Sequence, residues 1–213
     1  MNTDQLILTL VADLKPVSHH ALIRRLCIGL LLGTAGAAIL VAVRLGFRPD
    51  LVLALQGFHF WMKWAYTMSL GIGSIFAIER LARPTSSSLH GLWLLGLPVL
   101  GLATIGIVEL AETPARQWLS MWLGQSWMMC PWWVLILALP IFVSLLWSFR
   151  KFAPTRLRAA GAAAGFAAGA WAAAVYCLHC PEDSAIFVLT WYSLGILLAT
   201  GLGALLGSRI LRW

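Results

Sequence analysis

Apolar residues run through this chain in long blocks, at about 26–43, 58–78, 89–108, 128–149, 159–176 and 185–208, separated by short polar or basic segments. Each block is close to the roughly 17–25 residues a helix needs to cross a hydrocarbon layer about 30 Å thick. Within lipid every backbone polar group must be satisfied internally, which favours helices over isolated strands. The pattern therefore predicts an all-α, polytopic membrane protein: a six-transmembrane-helix bundle spanning 26–213, preceded by a short N-terminal segment, 1–25. The second block is the least regular because it contains Lys63, which is expected near a helix end with its ammonium snorkelling to the interface.

The N-terminal segment carries a different periodicity. Leu6, Ile7, Leu10, Val11 and Leu14 fall on one side of a helix, with Gln5, Thr9 and Asp13 on a more polar side. Pro16 ends this amphipathic helix, leaving a short hinge containing Ser18, His19 and His20. Such a face can lie on a bilayer or fill a groove on a cytoplasmic protein. Asp4 and Asp13 argue against attraction to anionic lipid, and the segment is too short for a catalytic domain. His19 and His20 read as a hydrated linker, and His59 and His90 as interfacial residues.

Composition agrees with the blocks: 61% of the 213 residues are hydrophobic and 11% charged, which excludes a soluble nucleic-acid-binding domain despite a net charge of +7. The charges orient the chain instead. With both termini inside, the inner segments hold Lys15, Arg24, Arg25, Arg80, Arg83, Arg150, Lys151, Arg156, Arg158, Arg209 and Arg212, against Arg44, Arg48, Lys63 and Arg116 outside. The positive-inside rule thus places both termini in the cytoplasm. The first apolar block has neither a basic n-region before it nor an Ala-x-Ala end, so a cleaved signal peptide is not expected.

Most of the twelve tryptophans fall toward the outer side: Trp61, Trp64, Trp118, Trp122, Trp127, Trp132, Trp133, Trp171 and Trp191. They read as an interfacial belt, with an aromatic pocket for a flat ligand as the sharper alternative. Thr113 and Pro114 look like the N-cap and first turn of a short surface helix through Leu123, and Glu109 and Glu112 are expected as solvated carboxylates before it. Gly161, Gly165 and Gly169 recur every four residues, as do the pairs Gly29/Gly33 and Gly203/Gly207, the spacing of closely packed membrane helices. Packing within one chain is the default; contact between copies, and hence a homo-oligomer, is the alternative.

The topology sorts the four cysteines. Cys27 lies near the inner end of the first span and reads as a small core residue, whereas Cys130, Cys177 and Cys180 fall on the outer side, the last two as a Cys-x-x-Cys beside His179. Neighbouring thiols of this kind can form a structural disulfide, exchange reversibly, bind a thiophilic ion with His179 as a further ligand, or stay inert. Phosphate-binding loops, zinc-protease motifs and hydrolase elbows are missing, and the spans lack the charged groups of an evident ion pathway. No constitutive cofactor is implied; a transient thiophilic metal ion is the one candidate. The parts suggest an outer detector joined by a bundle to an inner binding element.

Taken together, Thr3 to Ile7, Ala12-Asp13-Leu14-Lys15-Pro16-Val17, six apolar spans, Cys130-Pro131-Trp132 and Cys177-Leu178-His179-Cys180-Pro181-Glu182 resemble the NrsF family of bacterial inner-membrane anti-sigma factors over nearly the whole chain. The resemblance implies a non-enzymatic, multi-pass inner-membrane regulator that sequesters an extracytoplasmic-function sigma factor and does not itself bind nucleic acid. It assigns sigma contact to the N-terminal segment, Asp13, Leu14, Pro16 and Val17 above all, alongside the apolar face Leu6, Ile7, Leu10 and Val11. It matches Cys130 and Cys180 to the family's outer Cys-Pro pair, associated with metal or oxidative stress; Cys177 is an addition to that pair. The principal alternative is a membrane thiol-disulfide oxidoreductase using Cys177 and Cys180 with a quinone.

Overall fold

The computed structural model describes residues 3, 5, 19–82, 92–149 and 156–210, and the described elements are helical throughout. The N-terminal residues assigned to partner binding, Leu6 through Val17, lie outside the described residues. Helix α1 covers His19–Leu40 and continues as a π turn, Val41–Leu45; the short α2, Leu51–Ala54, leads to α3, Phe58–Ala82. A 3₁₀ turn, Leu92–Leu95, opens α4, Gly96–Glu112, and a second, Ala115–Gln117, precedes α5, Trp118–Leu123. Then follow α6, Cys130–Phe149, α7, Leu157–Tyr176, α8, Ala185–Phe187, a π turn over Val188–Tyr192, and α9, Ser193–Ile210.

Among the described residues, five helical stretches are long and apolar enough to cross a membrane: Ile23–Leu45, Trp93–Glu112, Cys130–Ser148, Leu157–Tyr176 and Ala185–Ile210. The sixth expected span, α3, has ample length at 25 residues. Its apolar run is diluted by Lys63, Tyr66, Thr67, Ser69 and Ser74, so it is not among the five.

Helix α7 occupies the centre, packed against α3, α6 and α9. Its alanine and glycine content explains this position, because small side chains let neighbouring backbones approach and form many short-range contacts. The Gly161/Gly165/Gly169 stripe lies on α9: a Cβ at Gly161 would strike the Gly203 carbonyl and come within 2.7 Å of Gly207 Cα. Gly29 and Gly33 lie likewise on α6, opposite Ser144, Ser148 and Ile141. Each glycine pair thus serves packing within one chain. Helix α4 is peripheral, seated through Gly106 on Ile186 of α8, while Leu95 just before it rests on Gly73 of α3.

Two local expectations are corrected. Thr113 does not cap the short surface helix: it is extended and makes no capping hydrogen bond, Pro114 leads into the 3₁₀ turn, and α5 begins only at Trp118. Helix α4 runs on to Glu112, past the expected end at 108, and carries Glu109 to the start of α8.

Candidate functional site: a capped thiol cluster

The Cys-x-x-Cys prolongs α7 by one turn. The amides of Cys177 and Leu178 donate to the carbonyls of Ala173 and Val175, and those of His179 and Cys180 both donate to Tyr176. This turn directs Cys177 and Cys180 into the protein before Pro181 stops it. Cys130 starts α6, its amide donating to Ser126. All three thiols are free, fully buried and part of one core with Tyr176 and Tyr192. The Tyr192 hydroxyl, sealed beside Cys177 and Cys180, makes no well-formed hydrogen bond among the described residues. Burial pushes the Cys177 thiol up to about 12 despite the nearby Lys63 cation, so at neutral pH it is a protonated thiol and not a poised nucleophile.

Residues 178–184 close over these thiols, and charged side chains hold the closure. Lys63, expected at the interface, is instead completely buried. Its ammonium has three donors and meets three acceptors: the carbonyls of Cys180 at 3.2 Å and Glu182 at 2.5 Å, and the Asp183 carboxylate at 3.2 Å. Asp183 also accepts from Arg48 at 3.4 Å, while Arg48 forms a bidentate pair with Asp50, 2.7 Å at each contact. That pair holds the Asp50 carboxyl below its usual range and raises the Arg48 guanidinium. The Arg48 amide donates to the Leu178 carbonyl, and His179 Nδ1 lies 2.9 Å from the Gly46 carbonyl.

The other side of the cap is equally tied. Glu182 accepts from the amides of Gln125 at 2.7 Å and Ser126 at 3.2 Å. Gly124 permits this approach: its φ is +56°, and a Cβ there would lie 2.6 Å from a Glu182 carboxylate oxygen. The Glu109 carboxylate receives the Ala185 amide at 2.8 Å and the Ser184 hydroxyl at 3.2 Å, capping α8. Glu109 is therefore not the solvated carboxylate expected from sequence, whereas Glu112 is exposed. Arg48, Lys63, Glu109, Glu182 and Asp183 were not candidates in the sequence; the signal available was one lysine in an apolar block and an acidic pair just after Cys180-Pro181.

Among the described residues, no three histidine, cysteine, aspartate or glutamate side chains converge to hold a metal ion. His179 faces Gly46 and lies over the Tyr176 ring at 5.7 Å. The three cysteines and His179 are thus not a preformed metal centre.

The tryptophans divide between two tasks. Trp61, Trp118 and Trp132 are exposed, as a belt requires. Trp122, Trp127 and Trp191 cluster, with ring centroids 5.6 and 5.2 Å apart, and the Trp191 indole donates to the Trp122 carbonyl. An apolar groove of about 400 Å³ opens between α3 and α4, lined by Phe58, Trp61, Met62 and Leu102 among others. Its two hydroxyls are engaged elsewhere, Tyr66 with Ser193 and Ser69 with the Ala65 carbonyl.

Comparison with known proteins now bears on this arrangement. The family described as negative regulator of sigma F matches residues 10–213. The chain is 41% identical over 213 residues to the probable anti-sigma-F factor NrsF of Azospira oryzae, with all of both chains covered. It is 40% identical over 215 residues to the anti-sigma-F factor NrsF of Caulobacter vibrioides, again covering both chains completely. No solved structure matches it. The family is regulatory rather than catalytic, and neither relative carries an enzyme's name. On full-length identity to two such regulators and a family match from residue 10 to the last residue, the chain belongs to the NrsF family of negative regulators of sigma F.

Proposed function

We propose that this protein is a membrane-embedded anti-sigma factor: it holds an extracytoplasmic-function sigma factor of the sigma F kind through its N-terminal segment and releases it when the outer thiols react. Kinship with anti-sigma-F factors along the whole chain carries this reading. Leu6, Ile7, Leu10, Val11, Asp13, Leu14, Pro16 and Val17 form the sigma-docking surface, in keeping with their apolar helical spacing. The bundle sits in the bacterial inner membrane with both termini cytoplasmic. Helix α3 is the sixth span, and the contacts of Lys63 within the cap reduce the penalty of a charge there. The excess of Lys and Arg in the inner segments supports the orientation.

Oxidation, or capture of a thiophilic ion, at Cys130, Cys177 and Cys180 is the signal. It stabilises a second bundle arrangement with lower affinity for the sigma factor, as linkage requires of any two coupled sites. A thiol oxidoreductase is the weaker reading, because the family is regulatory and neither relative carries an enzyme's name.

The test is equilibrium binding of membrane-reconstituted protein to the sigma factors of its own cell, with reduced, oxidised and metal-loaded samples compared. Deletion of residues 2–17, or Leu10→Asp with Leu14→Asp, should weaken capture more than tenfold without preventing insertion, since each buried leucine contributes roughly 1.5–3 kcal/mol. Unchanged capture would reject the docking face. Cys130→Ser and Cys180→Ser should keep resting capture and lose stress-triggered release; a normal response by both would reject the thiol sensor.

A further inference from the structure

Lys63 joins the thiol-bearing loop to the interior of α3. Its three acceptors all come from residues 180–183, and one of them is the carbonyl of Cys180 itself. Cys180 therefore carries a reactive sulfur on its side chain and a structural acceptor on its backbone. The Cys180 sulfur is buried, 3.9 Å from the Ser126 hydroxyl, so it cannot take a new covalent partner without local movement. A shift of the Cys180 backbone weakens one Lys63 contact directly, and the Glu182 and Asp183 contacts follow on the same loop.

From these contacts we infer that Lys63 is the positioning residue that converts thiol chemistry into movement of α3. In the resting state the clasp of Lys63, Asp183 and Arg48 holds the loop shut and α3 in the arrangement that supports capture. When Cys180 joins a second cluster thiol in a disulfide, the two sulfurs lose two electrons and two protons to an added oxidant such as diamide, which becomes the corresponding hydrazine. The displaced loop no longer satisfies Lys63, and an ammonium without acceptors is not tolerated in an apolar core. Helix α3 must then shift to bring it toward water. Thr67, one turn further along, is bonded to the Lys63 and Trp64 carbonyls, and Tyr66 to Ser193 of α9, so displacement of Lys63 reaches two helices.

This inference rests on the proposed reading of the thiols as sensing groups, and two independent readouts separate the two. In native membranes, labelling of Cys177 and Cys180 by a membrane-impermeant maleimide measures the closure without any sigma factor. Lys63→Met, which keeps an unbranched chain one atom shorter and removes the donors, should label at least tenfold faster than the unaltered protein. It should also lose resting sigma capture at least tenfold without oxidant, diamide adding little more. Asp183→Asn changes a half-exposed residue and keeps an acceptor oxygen; it should shift both readouts in the same direction by about threefold, and it carries the test if Lys63→Met fails to insert. Unchanged labelling, or faster labelling with unchanged resting capture, overturns the inference. Release that persists in Cys130→Ser and Cys180→Ser rejects the thiol sensor instead, whatever the Lys63 variants show.

Discussion

Gly201 and Gly203 stand two residues apart in α9, so replacing each with alanine performs the same chemistry in opposite surroundings. A Cβ on Gly201 would meet nothing within 4 Å. A Cβ on Gly203 would drive into the Gly161 carbonyl oxygen and lie 2.9 Å from Gly165 Cα and 3.1 Å from its nitrogen. These are backbone atoms and cannot rotate away, so α7 and α9 must separate by about 1 Å, weakening dispersion contacts along the whole seam. Both variants gain the same helix propensity of about 0.8–1.0 kcal/mol. Their difference is therefore the overpacking cost alone, about 1–3 kcal/mol. At about 2–4 °C per kcal/mol for a chain of this size, Gly203→Ala should melt about 2–12 °C below Gly201→Ala. Thermal unfolding in one detergent, followed by circular dichroism, measures the gap. Equal midpoints, or a lower midpoint for Gly201→Ala, would refute the direct α7–α9 backbone contact.

Two further outcomes are expected. The Cys177 thiol is raised from 9.0 to about 12 in the fold, so the stability gained by keeping it neutral is complete below about pH 9 and is lost as pH rises toward about 12; Cys177→Ser should show a shallower alkaline fall in melting midpoint, and an identical fall would count against burial as the cause. Glu109→Ala removes the acceptor for the Ala185 amide and the Ser184 hydroxyl and should lower the midpoint by an amount equivalent to about 1 kcal/mol, whereas Glu109→Gln, which keeps a carbonyl acceptor, should lose less.

Helix positions were legible in the apolar blocks because each block must satisfy its own backbone in lipid, a constraint local to the chain. The predicted start at 58 coincides with the first residue of α3, and the predicted end at 176 with the last of α7. The glycine spacings revealed which faces approach closely, though not that Gly161 and Gly165 meet Gly203. Burial of Lys63 was not legible, since its acceptors lie 117 to 120 residues away. The same holds for Arg48, whose pairing with Asp183 spans 135 residues. Glu109 was misread for a related reason: a carboxylate at a helix end appears hydrated until the second helix that it caps is known. The sequence predicts that three thiols share one side; the fold brings them into one buried core.

The central position of α7 has a consequence for how the protein is made. Of the five candidate spans it is the least apolar and the most enclosed, whereas the stretch containing α4 is the most open to its surroundings. Helices leave the ribosome in order, and each enters the bilayer largely on its own apolarity. A segment of alanine and glycine gains little from lipid and shows it a ridge of bare backbone. Helix α7 is thus a guest among its neighbours, retained once α9 covers its glycine face. Translation that stops before Ser193 would leave α7 without that cover, so truncated chains should be marked for membrane proteolysis at their centre, with the earliest helices already securely inserted.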